Sequence, residues 1–154
     1  MNQQTNPKAV TDTRMFSRET TVSVNIEADP FIVWALLTHA SDIPRWNSTV
    51  ISLKGEIREG GTIELKSTLD EKRTFKLKVK EFVPGKRLVW GDNMGSRVYT
   101  LDKNVEGVRV TMSEKIGGPL FPLFAGMIPS FDKSFEQFAA DLKKEAETIQ
   151  GSKK

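Results

Sequence analysis

The chain has 154 residues, of which 38% are apolar and 28% charged, enough apolar material for a single folded core and too little charge excess for disorder. Lysine and arginine outnumber aspartate and glutamate by 23 to 20 without clustering, so a nucleic-acid surface is not implied. Cysteine is absent and His39 is the only histidine, which excludes disulfide scaffolds, thiolate zinc sites, cysteine nucleophiles and multi-histidine metal centres.

Residues 1–17 are polar and aperiodic and include Pro7, which predicts a mobile leader ahead of one domain over 18–150. They lack the apolar core of a signal peptide, and no run of 18 apolar residues occurs; a cytoplasmic protein without stable membrane insertion is expected. From Thr20 the chain alternates strictly, with Val22, Val24 and Ile26 on one face, the pattern of a strand with one wet side. Asp29-Pro30 then supplies a helix cap and a proline at the first helical position, and Phe31, Trp34 and Leu37 recur at helical spacing, predicting a short helix to about His39. Ser41-Asp42-Ile43-Pro44 predicts a second brief helix leading to Trp46.

Six further strands follow, approximately over 49–54, 62–67, 73–83, 87–92, 96–102 and 108–116. Turn residues separate them at Gly60-Gly61, Asp70-Glu71, Pro84-Gly85, Asp92-Asn93 and 104–107, which predicts an antiparallel meander. Phe75, Leu77 and Val79 alternate but Phe82 breaks the register, so a bulge is expected near Lys80 or Glu81. Phe131, Phe135, Phe138, Leu142, Ala146 and Ile149 form one stripe at helical spacing, predicting a long helix over 130–150, with 151–154 a frayed tail. The expected fold class is α+β: a seven-stranded curved antiparallel sheet wrapped around the C-terminal helix, with two short helices after the first strand. Such a sheet grips its helix imperfectly and leaves a cavity between them.

The run IEADPFIVWALLTHASDIPRWNSTV, the hairpin FVPGKRLVW, and VRVTMSEKIGG followed by a long helix resemble the polyketide cyclase/dehydratase-like (SRPBCC) branch of the START and Bet v 1-like superfamily, over residues 20–149. The resemblance implies the helix-grip fold, which the periodicity predicts independently. It also implies binding of small hydrophobic molecules in many members, cyclisation or dehydration in some, and chaperone activation in related ones. Fold alone does not choose among these.

Residues 117–129, GGPLFPLFAGMIP, contain no charged or hydrogen-bonding side chain. This segment is either a lip over a cavity mouth, with Phe121, Phe124 and Met127 against a ligand, or a plug closing one end of the core. If the hairpin turns at Val105 and Glu106, residues whose numbers sum to 211 face one another. Tyr99 then meets Met112, and Arg97 meets Glu114, all on the inner face. The charged pair is either a ligand anchor inside the cavity or a rim salt bridge. Trp46, Phe75 and Trp90, with Phe131 and Phe135 of the last helix, supply apolar surface for rings or acyl chains, or are plain core. His39 reads as a helix-end residue rather than a base, and Lys76, Lys78 and Lys80 as a solvated ridge.

These residues favour a carrier of a small hydrophobic ligand (a lipid, polyketide or aromatic compound) held without metal or cofactor. The ligand-binding set is Trp46, Phe75, Trp90, Arg97, Tyr99, Met112, Glu114, Phe121, Phe124, Met127, Phe131 and Phe135. A cyclase or dehydratase, in which Tyr99, Arg97 and Glu114 would polarise a carbonyl and move protons, is the second reading. An interaction module with a protein partner is the third.

Overall fold

A computed structural model describes residues 7–152. Eight antiparallel strands form one sheet: β1 (Ala9–Thr13), β2 (Ser17–Ile26), β3 (Val50–Gly55), β4 (Thr62–Ser67), β5 (Asp70–Val83), β6 (Arg87–Gly91), β7 (Gly95–Lys103) and β8 (Val108–Gly117). Their order is β1-β2-β8-β7-β6-β5-β4-β3, so β3 to β8 run as the predicted meander and β2 joins its far edge. The helices are α1 (Pro30–Thr38), α2 (Ile43–Trp46), α3 (Phe121–Phe124) and α4 (Asp132–Ser152). Curved sheet and long C-terminal helix make this the helix-grip fold. Among the described residues no helix is long and apolar enough to cross a membrane.

Local chemistry accounts for the elements. The Asp29 carboxylate accepts from the Phe31 N–H at 2.8 Å, and Pro30 opens α1, because the first N–H groups of a helix lack internal partners. Along β2, Val22, Val24 and Ile26 are buried. On α4, Phe135, Phe138, Leu142 and Ala146 are buried against the sheet and α1. The β7–β8 hairpin is set by Asn104, whose side-chain oxygen accepts from Glu106 N and Gly107 N at 3.0 and 2.8 Å, and the pairs Leu101↔Val110, Tyr99↔Met112 and Arg97↔Glu114 follow. The register of β5 slips between Val79 and Glu81, placing the expected bulge at Lys80.

Several expectations need correction. The sheet has eight strands rather than seven, because part of the expected leader, Ala9–Thr13, pairs with β2. Its sequence shows no alternation; tertiary contacts hold it, with Ala9 N donating to Glu136 at 2.9 Å and Thr11 Oγ1 donating to Asp132, both from α4. The helix continues through Gly151 to Ser152, whose hydroxyl donates to the Ile149 carbonyl at 2.7 Å, so these two residues are not a frayed end. Residues 1–6 and 153–154 of the expected leader and tail lie outside the described residues. The β4–β5 turn falls at Thr68-Leu69, with Ser67 paired to Asp70, two residues before Asp70-Glu71. Phe31 points to solvent at 78% exposure, while Ile32, Val33, Trp34, Leu36 and Leu37 carry the buried face of α1.

Candidate functional site

Between the sheet and the start of α4 lies a cavity of about 570 Å³. Inward side chains of β4 to β8 form its walls, because alternate residues of a strand face one side. The segment 124–131 lies over one side of it. Residues 117–129 hold α3 and a further helical turn, Ala125–Met127. Phe121 is buried, whereas Leu120, Leu123 and Met127 are exposed and Phe124 and Met127 reach the cavity. The segment is thus plug at Phe121 and lip at Phe124 and Met127. Arg18 of β2 ties it down by donating to the Ile128 and Pro129 carbonyls at 3.3 and 2.8 Å, while its guanidinium lies 4.7 Å from the Phe131 ring centre.

Arg97 is the most constrained polar group of the cavity. Its Nε donates to Glu114 Oε1 at 2.7 Å, and both side chains are about one-sixth exposed, at 15% and 16%. The guanidinium carbon lies 4.9 Å from the Trp90 ring centre and 5.1 Å from that of Phe135, so the cation is flanked by two aromatic rings as well as a carboxylate. Burial disfavours the charged form, but the negative charge of Glu114 and the neighbouring Tyr99 outweigh it and hold the Arg97 pKa above its ordinary value. For Tyr99 the largest influence is burial, which pushes the phenol pKa up, while Arg97 pulls it down by less. Arg97 therefore stays a cation and Tyr99 a neutral phenol at physiological pH.

Of the twelve residues expected to bind a ligand, seven line this cavity: Phe75, Trp90, Arg97, Glu114, Phe124, Met127 and Phe131. Phe135 is buried behind it, stacked on Phe131 with ring centres 5.7 Å apart. Trp46 and Tyr99 instead line a small chamber next to it. Met112 and Phe121, each 1% exposed, line neither space. Met112 faces inward as its register requires, and its neighbours cover it completely.

The sequence matches the family described as polyketide cyclase / dehydrase and lipid transport over residues 17–147. The chain belongs to this family. No curated protein matches it by sequence. Among solved structures, the di-domain aromatase/cyclase StfQ of the steffimycin biosynthetic pathway is similar at a TM-score of 0.69 and 14% identity. That match covers 90% of this chain and 54% of StfQ. A Rhodobacter sphaeroides protein matches at 0.66 and 19% identity over 92% of this chain and 99% of its own. A Mesorhizobium loti protein matches at 0.65 and 18% identity, covering 82% and 95%. At such identities the likeness establishes a common fold and leaves chemistry to the residues of each cavity.

In this polyketide cyclase/dehydrase and lipid transport family member, sequence reasoning missed Leu65, Leu69, Arg73, Met94 and Ile116 on the cavity wall. Leu65 and Ile116 carried a signal, since both lie on the inward face of alternating strands. Leu69 and Met94 did not, because both fall in turns, where alternation says nothing about direction.

Proposed function

We propose that the protein binds one small, largely apolar molecule in the cavity between sheet and α4, with Arg97 as the polar anchor. The observation that carries this reading is a cavity of about 570 Å³, within the usual range for small-molecule sites, whose largely apolar wall holds the Arg97 cation between the Trp90 and Phe135 rings. A lipid, a polyketide or another aromatic compound fits that combination. Burying about 200 Å² of apolar ligand surface contributes about 5 kcal/mol before entropy losses, and one or two hydrogen bonds then bring affinity to the micromolar range. The exposed Met127 and the half-buried Phe124 at the lip suit entry of an apolar guest.

The reading is carriage rather than turnover. Glu114, the carboxylate beside Arg97 in the cavity wall, has its Oε1 already accepting from the Arg97 Nε, and a general base needs a free oxygen within hydrogen-bond reach of the proton it takes. Native mass spectrometry of gently purified protein, followed by organic extraction, tests the proposal. A stoichiometric apolar compound is expected. An empty protein that gains no thermal stability from a panel of lipids and aromatic polyketides overturns it.

A further inference from the structure

Next to the main cavity lies a second, much smaller chamber of about 20 Å³. The two adjoin, with Leu65, Trp90 and Arg97 lining both, and the chamber is lined further by Trp46, Asn47 and Tyr99 among others. Its volume admits one water-sized atom and excludes any ring.

The polar groups around it are one-sided. Trp46 is 7% exposed, and its indole N–H has no hydrogen-bond partner. Asn47 is 5% exposed, and its Oδ1 already accepts from Thr49 N at 3.0 Å and Thr49 Oγ1 at 2.6 Å. The bond from Thr49 N fixes which amide atom is the oxygen, so the group Asn47 has left over is its NH₂ donor. Arg97 can only donate. Tyr99, neutral through burial, has a proton to donate. Glu114 lines the main cavity and is not among the residues of the chamber. A buried N–H without an acceptor is costly, and a space of one atom's size among donors is complementary to one acceptor oxygen.

We infer that the chamber is a single-oxygen subsite. The terminal carbonyl or carboxylate oxygen of a ligand whose apolar body fills the main cavity occupies it and accepts from Trp46 Nε1; in the free protein a water holds the same place. The inference rests on the cavity reading above and narrows its ligands to molecules with an exposed terminal acceptor oxygen. Hydrocarbons and buried-oxygen ligands lose this contact.

Two probes of nearly the same shape, 2-acetylnaphthalene and 2-ethylnaphthalene, separate the subsite from the cavity. By calorimetry the ketone is expected to bind about tenfold tighter, the worth of one hydrogen bond completed by an otherwise unpaired donor. Trp46→Phe, which removes the N–H and keeps most of the ring, should lower ketone affinity by about that factor and change ethylnaphthalene affinity by less than about twofold. An equal affinity for both probes in the native protein, or a ketone preference that survives in the variant, overturns the subsite. If neither probe binds, the extraction and ligand panel above decide the cavity reading, and the ligand-free protein decides the subsite. There the Trp46 indole proton, identified by NMR as the signal of the three tryptophans that Trp46→Phe removes, should show cross-relaxation with a long-lived water. A dry Trp46 indole overturns the inference.

Discussion

Glu114→Gln keeps the size of the side chain and an acceptor oxygen but withdraws the charge that balances Arg97. In the native protein that guanidinium is 15% exposed and bonded to Glu114 at 2.7 Å. Trp90 and Phe135 stay beside it in the variant, so the cation is not left bare. Breaking a buried pair from one side costs about 3–5 kcal/mol; the retained acceptor and the access of water through the cavity place Glu114→Gln lower, at about 2–3 kcal/mol. For a domain of this length that lowers Tm by about 4–12 °C. Arg97→Met, which strands the carboxylate, should cost about 3–5 kcal/mol. The double variant should cost less than the sum by about 2 kcal/mol, because the second change removes the charge the first left unpaired. Urea unfolding followed by tryptophan fluorescence measures all three, and the midpoint should move with the slope unchanged. A Glu114→Gln protein within about 0.5 kcal/mol of native, or an additive double variant, would refute the reasoning and make the pair a screened surface bridge.

Tyr99 is the only tyrosine, so tyrosinate absorbance reports it alone. Its folded pKa lies above the ordinary 10.0, hence the unfolded chain loses this proton first as pH rises, and stability should fall above pH 10; ionisation at or below that value with the fold intact contradicts this, and Tyr99→Phe should remove this contribution. Asp29→Ala takes away the cap on the Phe31 N–H and should cost about 1 kcal/mol in the same urea assay, with no loss refuting the assignment. Arg18→Ala releases the carbonyls of Ile128 and Pro129, so amide exchange over 118–129 should accelerate more than exchange in β7 and β8; uniform acceleration would mean the clamp stabilises the whole fold rather than the lip.

The parts legible in the sequence are those where a local rule fixes a long-range result. The Asn104–Gly107 turn determines the register of β7 and β8, and through it the facing of Arg97 and Glu114. The misplaced Phe82 betrays the bulge at Lys80. Strand β1 was not legible, because Ala9–Thr13 shows no alternation of apolar and polar residues despite its branched Val10, Thr11 and Thr13, and it is held by Glu136 and Asp132 more than a hundred positions away. Phe31 shares its spacing with the buried face of α1, yet only the packing of the helix decides that it stays outside. The inner chamber illustrates the same limit: by sequence Trp46 and Tyr99 read as ligand-binding residues and Asn47 has no role there, and the unpaired indole N–H becomes visible only once their neighbours are placed.

The sheet order has a consequence for how the chain reaches this state. Strand β2 pairs with β8 from Ser17↔Gly117 to Ile26↔Val108, so during synthesis it waits for almost the whole meander before its principal partner exists. The helix α4, which buries its inner face, is later still in the chain. Until then β2 presents an open edge and the apolar row of Val22, Val24 and Ile26, a template for pairing with other chains. Closing so long a loop costs entropy before any contact repays it, which places this protein among the slow folders of its size. The hairpin β1–β2, formed from neighbours in the sequence, covers one of β2's two edges early, and shields in the unfinished chain the strand that it merely borders in the finished one.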